Sequence, residues 1–246
     1  MLSSLRMASW DLVVVNYRTP SAVVTLLRHL ERWCLERSVA RWVVDSASRD
    51  GSLDAFRREL EGVPVLALDE NRGFAHAANA GSRAATARWL LFLNPDVHVE
   101  PRALDEVLAA AGRGPAVLGG ICDSGPRAHG PSRGRGPGGS LAVEWVAGSL
   151  LAIPRADFEA LGGFDEAYFA YFEDVDLSER AAARGLPVLA LPEVRYTHRG
   201  GESFAGREAD RVRCYRESRK LYLGRKYGRP AAWAYSIYTL LAGSRP

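Results

Sequence analysis

Short apolar runs alternate with segments of helical spacing throughout the first half of the chain, and few folds accept that pattern. Trp10-Asp11-Leu12-Val13-Val14-Val15 is apolar at nearly every position, as a strand covered on both faces requires. Ser21 to Leu35 carries Val23, Leu26, Leu27 and Leu30 at the three- and four-residue spacing of a helix. Arg41-Trp42-Val43-Val44-Asp45 reads as a second strand, and Asp50-Gly51-Ser52 as a turn opening a helix that runs through Leu60. A third strand is expected over Val63 to Leu68, a small-residue helix over Ala75 to Thr86, and a fourth strand over Trp89 to Leu93. Strands and helices in this order build a parallel sheet with helices on both faces. Such sheets bind ligands at the carboxyl ends of their strands. Asn16, Asp45, Asn71 and Asp96 fall at those ends or on the loops that follow.

The second half reads less regularly. Residues 112–140 are rich in Gly, Pro, Arg and Ser, which predicts a long flexible loop. A lid over the site and a solvated insertion both fit it. Val143 to Leu151 resumes the core, Asp176 to Arg184 is a short helix with Asp176 as its cap, and Pro187 to Leu191 is a strand. A basic helix is expected over Arg207 to Tyr227. The division expected is one domain over residues 1–206, with a donor-side half at about 10–111 and an acceptor-side half at 141–206. A basic helical extension over 207–246 follows.

Composition narrows the class. With 246 residues and 47% hydrophobic content the chain can bury a sizeable core. No run of eighteen apolar residues occurs, and Met1 to Trp10 is too short and polar for a signal peptide. Cys34, Cys122 and Cys214 are widely spaced and odd in number, which reads as reduced thiols in the cytosol. There is no GxGxxG after the first strand and no GxxxxGK[ST], so neither a dinucleotide dehydrogenase nor a P-loop enzyme is supported.

Chemistry concentrates in Gly163-Phe164-Asp165-Glu166 and Phe172-Glu173-Asp174-Val175-Asp176, acids set among Tyr168, Phe169, Tyr171 and Phe172. Aromatic neighbours desolvate carboxylates and crowded carboxylates repel, and both effects raise pKa as a general base requires. Upstream, the apolar run Leu90-Leu91-Phe92-Leu93 ends in Asn94-Pro95-Asp96. A carboxylate there suits a divalent cation on a diphosphate. Asp165 and Glu166 also read as turn and cap residues, and Trp145 suits either a sugar face or the core.

The chain resembles family 2 glycosyltransferases, especially the rhamnosyltransferase-like branch. The resemblance rests on an ordered set: Val13-Val14-Val15-Asn16-Tyr17, Val44-Asp45-Ser46-Ala47-Ser48-Arg49-Asp50-Gly51-Ser52, Glu70-Asn71-Arg72-Gly73-Phe74 with Asn79 and Gly81, Leu93-Asn94-Pro95-Asp96, Gly162-Gly163-Phe164-Asp165-Glu166, Phe172-Glu173-Asp174, and His198. It implies a nucleotide-sugar-binding, Rossmann-like GT-A fold with a mixed, mainly parallel sheet. It implies transfer with inversion from a dTDP- or UDP-linked sugar, with rhamnose a candidate, to a saccharide or lipid-linked acceptor. It also carries roles: Asp45 on the nucleoside, flanked by Asn16 and Tyr17; Asn71, Gly73 and Asn79 on the donor-binding turn and helix; Asn94 and Asp96 in place of the family's Asp-x-Asp. Asp174 is the implied base, with Glu173, Asp165 and Trp145 on the acceptor side, and His198 joins Asp96 around Mn2+ or Mg2+. The Asn at position 94 leaves open a non-catalytic nucleotide-sugar-binding protein, and a sugar-phosphate nucleotidyltransferase is a further alternative.

Charge is uneven. Arg207 to Arg229 holds nine Lys or Arg against three acids, a net +6 in a chain of net +3. With Trp233, Tyr235 and Tyr238 behind it, this end suits an anionic membrane surface, a core-packing helix or a homodimer contact. Nucleic acid is not expected, because the aromatics are not interleaved with the basic run.

Overall fold

The computed structural model describes residues 10–241, so most of the expected polar N-terminus and the last five residues of the C-terminal extension lie outside the described residues. β1 (Trp10–Asn16), β2 (Val39–Asp45), β3 (Val65–Ala67) and β4 (Trp89–Leu93) alternate with α1 (Pro20–Arg37), α2 (Ser52–Glu59) and α3 (Phe74–Ala84). β5 (Val97–Val99) and α4 (Pro101–Gly112) follow, then β6 (Val117–Ser124), β7 (Ser132–Arg135), β8 (Leu141–Val143) and β9 (Leu150–Pro154). The chain continues through α5 (Arg155–Ala160), α6 (Glu173–Ala183), β10 (Val188–His198), α7 (Glu208–Tyr227) and α8 (Arg229–Leu241). One mixed sheet runs β3-β2-β1-β4-β9-β6-β10-β8-β7, with β5 paired to β10. Its β3-β2-β1-β4 portion is parallel, as is the β6–β10 pair.

The apolar runs work as strands because both faces are covered. Leu12 and Val14 of β1, with Leu91 and Leu93 of β4, point into a core closed by α1 and α4. Val13, Leu90 and Phe92 point the other way, against Ala75, Ala77 and Ala78 of α3 and the rings of Phe158 and Phe164. Side chains that alternate along a strand therefore meet apolar partners on either side. Phe92, Phe158 and Phe164 pack edge-on or tilted with centroids 5.2–5.4 Å apart, locking α5 and the loop before α6 onto the sheet.

Residues 112–140 depart from the expected flexible loop, since they supply β6 to the middle of the sheet and β7 to its edge. Glycine hid the strand. A Cβ on Gly119 would lie 2.6 Å from Val146, so only glycine lets that segment close over β6. The strand expected over Pro187 to Leu191 is longer, running to His198, and α6 starts at Glu173 rather than Asp176. Asp176 does not cap α6; its carboxylate takes the Arg180 guanidinium at 2.7 Å one turn on.

The basic helix α7 lies against α6 and the loop that precedes it. Ser218 donates to the Ala170 carbonyl at 2.7 Å, Tyr222 and Lys226 both reach Glu179, and Arg225 pairs with Asp165. α8 turns back and packs along α7.

Candidate active site

Parallel pairing sets Asn16 directly opposite Asp45 at the ends of β1 and β2. The Asn16 amide donates to Asp45 Oδ1 at 2.6 Å and to Ser48 Oγ at 3.0 Å, and its oxygen accepts from the Thr19 N–H and hydroxyl. Asn16 is 0% exposed, so it acts as a strut that fixes Asp45. Asp45 Oδ2 accepts the Ser48 N–H at 3.1 Å. Each Asp45 oxygen keeps a second lone pair for a ligand N–H or hydroxyl. Tyr17 stands at the same strand end, its ring between the Arg18 and Arg207 guanidinium groups, both 5.3 Å from its centroid.

Asn71 braces the next loop, with Oδ1 accepting from Ser46 Oγ at 3.1 Å and from the Gly73 N–H at 2.9 Å. Gly73 has φ +97°, and a Cβ there would sit 2.0 Å from the Phe169 carbonyl oxygen. That carbonyl accepts the Phe74 N–H at 2.8 Å, stitching the start of α3 to the loop before α6. Arg72 meets Glu70 and Glu166, each at 3.6 Å.

Two expected site residues are used differently. Asn79 donates to the Phe164 carbonyl at 2.8 Å and to Glu166 at 3.1 Å, and it accepts the Phe164 N–H at 2.9 Å. Its buried amide clamps the Gly163–Glu166 turn, with both N–H groups taken. Asp165 accepts the Ala167 N–H and pairs with Arg225. Burial alone would raise its carboxyl, but those two partners hold it below the usual carboxylate range. It anchors α7.

Asp96 follows β4, and the antiparallel β5–β10 pairing, with Val97 opposite His198, brings the imidazole to it. His198 Nε2 lies 3.0 Å from Asp96 Oδ1 and 3.4 Å from the Asn94 amide nitrogen, while Asp96 Oδ2 accepts the Gly200 N–H at 2.9 Å. One oxygen and one nitrogen donor thus converge at a half-buried point. Among the described residues no group of three or more His, Cys, Asp or Glu is placed to hold a metal ion. This donor pair fits a divalent cation that takes its other ligands from phosphate oxygens and water.

Glu173 and Asp174 open α6. The two residues before them, Tyr171 and Phe172, both have φ +71°, a left-handed conformation that costs a non-glycine residue on the order of 1–3 kcal/mol. Aromatic packing holds it: Phe172 lies 5.5 Å from Tyr215 and 5.2 Å from Tyr222, and Tyr171 lies 5.6 Å from Tyr215. These α7 rings support the acidic pair and were not expected to. Their signal was present, because Tyr215, Ser218, Tyr222 and Arg225 recur at helical spacing.

The two acids are not equivalent. Asp174 Oδ2 accepts the Gly148 N–H and Oδ1 the Val175 N–H, both at 2.8 Å. Burial raises its carboxyl, and these N–H groups counter the rise. Glu173 is raised well above its usual range by burial and by the Asp174 charge, and its Oε2 is buried with no partner among the described residues. Burial and the neighbouring charge thus push Glu173 toward its neutral form, while the two N–H groups favour the charged form of Asp174. Trp145 lies nearby, with Gly130 packed against its indole nitrogen.

A sequence model described as glycosyl transferase family 2 matches residues 11–175, and the chain belongs to that family. It is 27% identical over 265 residues to the N-acetylglucosaminyl-diphospho-decaprenol L-rhamnosyltransferase of Mycobacterium tuberculosis, covering 88% of this chain and 86% of the relative. Among solved structures, GalNAc-T7 with UDP, GalNAc and Mn2+ superposes with a TM-score of 0.68 at 17% identity, covering 79% of this chain and 44% of that one. The mannosyltransferase PcManGT from Pyrobaculum calidifontis, in complex with GDP-Man and Mn2+, gives a TM-score of 0.63 at 22% identity, covering 98% of this chain and 78% of that one. The fold is of the GT-A type.

Proposed function

We propose that this chain is an inverting glycosyltransferase that moves a sugar, rhamnose first among candidates, from a dTDP- or UDP-linked donor to a hydroxyl of a saccharide or lipid-linked acceptor. The observation that carries this reading is the unequal acidic pair, in which Asp174 accepts the Gly148 and Val175 N–H groups while Glu173 Oε2 is buried with no partner among the described residues. Asp45, fixed by Asn16, takes a hydroxyl or N–H of the nucleoside. Asp96 and His198, with Asn94 beside them, would hold Mn2+ or Mg2+, which would neutralise charge on the donor diphosphate. Asp174 takes the acceptor hydroxyl proton as that oxygen forms its bond to the anomeric carbon. The bond from that carbon to the diphosphate breaks on the opposite face, and the nucleoside diphosphate leaves with the electron pair.

Rhamnosyl transfer is favoured by the mycobacterial relative, whose name specifies an L-rhamnosyltransferase and an acceptor carried on diphospho-decaprenol. The C-terminal face supports docking on an anionic membrane surface: Trp233, Tyr238 and Leu240 of α8 are 69%, 63% and 82% exposed beside the basic α7. No helix among the described residues is long and apolar enough to cross a membrane. The test is a thermal-shift panel of nucleotide sugars followed by transfer assays and an anomeric assignment of the product. Stabilisation by dTDP- or UDP-sugars with an inverted product supports the reading. Stabilisation by guanosine or adenosine sugars alone, or a retained anomeric configuration, contradicts it.

A further inference from the structure

We infer that the cavity at the carboxyl end of β6 holds the diphosphate of the acceptor, with Arg127 and His129 as its anion-binding groups. This rests on the proposed transfer to a lipid-linked acceptor and assigns residues to the half of the site that no comparison assigns. The cavity is open to solvent, holds about 350 Å3 and is lined by Ile121, Cys122, Arg127, His129, Gly130 and Ser132 among others. That volume is at the lower end for small-molecule sites.

Its position follows from the sheet. One wall is the end of β6, where Cys122 pairs with Tyr196, two residues before His198. The other wall is the segment at 127–132, bound to the strand-like stretch that leads to Gly148. Ala147 donates to the Ala128 carbonyl at 2.8 Å, and Gly130 donates to the Trp145 carbonyl at 2.9 Å. Gly148 is the residue whose N–H holds Asp174. The Tyr196 hydroxyl, 2.9 Å from Ser149 Oγ, is raised by burial and feels both Cys122 and Asp174. The cavity walls are thus paired to β10, the strand that ends at His198, and hydrogen-bonded to the stretch that leads to Gly148, the partner of Asp174. Trp145, for which a sugar face and the core were both open, packs against Gly130, one of the lining residues.

Its electrostatics suit an anion. The Arg127 guanidinium makes no ion pair or hydrogen bond among the described residues and is exposed. His129 commits Nδ1 to its neighbour's carbonyl, the Gly130 oxygen, at 2.7 Å, which leaves Nε2 for a ligand. Nearby carboxylates are already matched: Asp123 is paired with Arg195, and Glu144 lies 3.5 Å from Arg133. The unpaired Arg127 guanidinium is the donor that a phosphate oxygen takes, and the His129 imidazole joins it when Nε2 carries a proton, whereas the Ser132 hydroxyl is turned to the Gly134 and Ala142 carbonyls. A sugar whose reducing end carried a diphosphate here would present its far hydroxyls to Asp174.

The test compares two acceptors, an N-acetylglucosamine on a short isoprenoid diphosphate and the same sugar on an uncharged alkyl group. The readout is the ratio of their KM values for the wild-type chain and for Arg127→Ala, Arg127→Gln and His129→Gln. The preference for the diphosphate acceptor should fall by about tenfold in the Arg127 variants, as loss of a charged hydrogen bond implies. An unchanged ratio, or an equal rise in both KM values, overturns the assignment. If neither acceptor is turned over, the proposed function fails, and titration with geranyl diphosphate under saturating dTDP or UDP judges the cavity separately. Binding weakened by Arg127→Ala then supports it, and equal binding removes it.

Discussion

Replacing Asn79 by Ala should unlatch the acceptor-side turn while sparing the donor pocket. The amide is the partner of both backbone groups of Phe164, at 2.8 and 2.9 Å, and Phe164 is 1% exposed. Truncation leaves one N–H and one C=O buried without partners, each costing about 1–3 kcal/mol. The sum is about 2–6 kcal/mol, and at this chain length 1 kcal/mol moves Tm by about 2–4 °C. Asn79→Ala should therefore melt at least about 4 °C below wild type in calorimetry. Asn79→Asp keeps the acceptor for the Phe164 N–H but loses the donor and sets a carboxylate against Glu166, so it should be destabilised as well. Nucleotide affinity, titrated well below either melting point, should stay near the wild-type value. An Asn79→Ala chain of unchanged Tm that no longer binds nucleotide would refute this and return Asn79 to the donor site.

Further outcomes follow from the same geometry. Glu173→Gln mimics the neutral Glu173 and should keep most of its transfer rate. Because burial raises the folded-state pKa of Glu173, its contribution to stability is full at pH below the unfolded value and is lost as pH rises through the folded one. The Tm advantage of Glu173→Gln should then grow as pH rises, and an advantage that grew on acidification would contradict the assignment. The rate should also fall on acidification through a limb above the ordinary Asp range, since burial raises Asp174. Chelation should abolish transfer and Mn2+ or Mg2+ restore it, while Asp96→Ala and His198→Ala resist restoration; full activity in chelator would sink the metal reading. Sedimentation with anionic vesicles should weaken as salt rises and on truncation after Arg229. Equal binding by truncated and full-length chains would assign the exposed face of α8 to another contact.

The strands were legible where burial on both faces wrote continuous apolar runs, and Trp89 to Leu93 matched β4 residue for residue. β6 was not, because Gly119 and Gly120, which admit Val146 and Val194, also imitate a loop in composition. Within the site, the type of residue was readable and its partner often was not. Asp45 and Asp96 sit at or just after strand ends as expected, Asp174 and His198 fall at the ends of an α6 and a β10 that extend past their expected bounds, and Asn79 and Asp165 satisfy buried backbone or anchor α7. An Asn or Asp that meets a backbone N–H looks the same in sequence as one that meets a ligand. The support of Tyr171 and Phe172 by Tyr215 and Tyr222 is a long-range contact, and only the helical stripe on α7 hinted at it.

The assignment of the base is decided by transfer kinetics of Asp174→Asn beside Glu173→Gln, with nucleotide affinity measured on both. Asn keeps the size of Asp174 but cannot take a proton, so the rate should fall by about 10²–10⁴-fold, the usual contribution of a general base. Glu173→Gln should remain active, and both variants should bind nucleoside diphosphate as wild type does. A fully active Asp174→Asn, or a collapse confined to Glu173→Gln, would contradict Asp174 as the group that takes the acceptor proton.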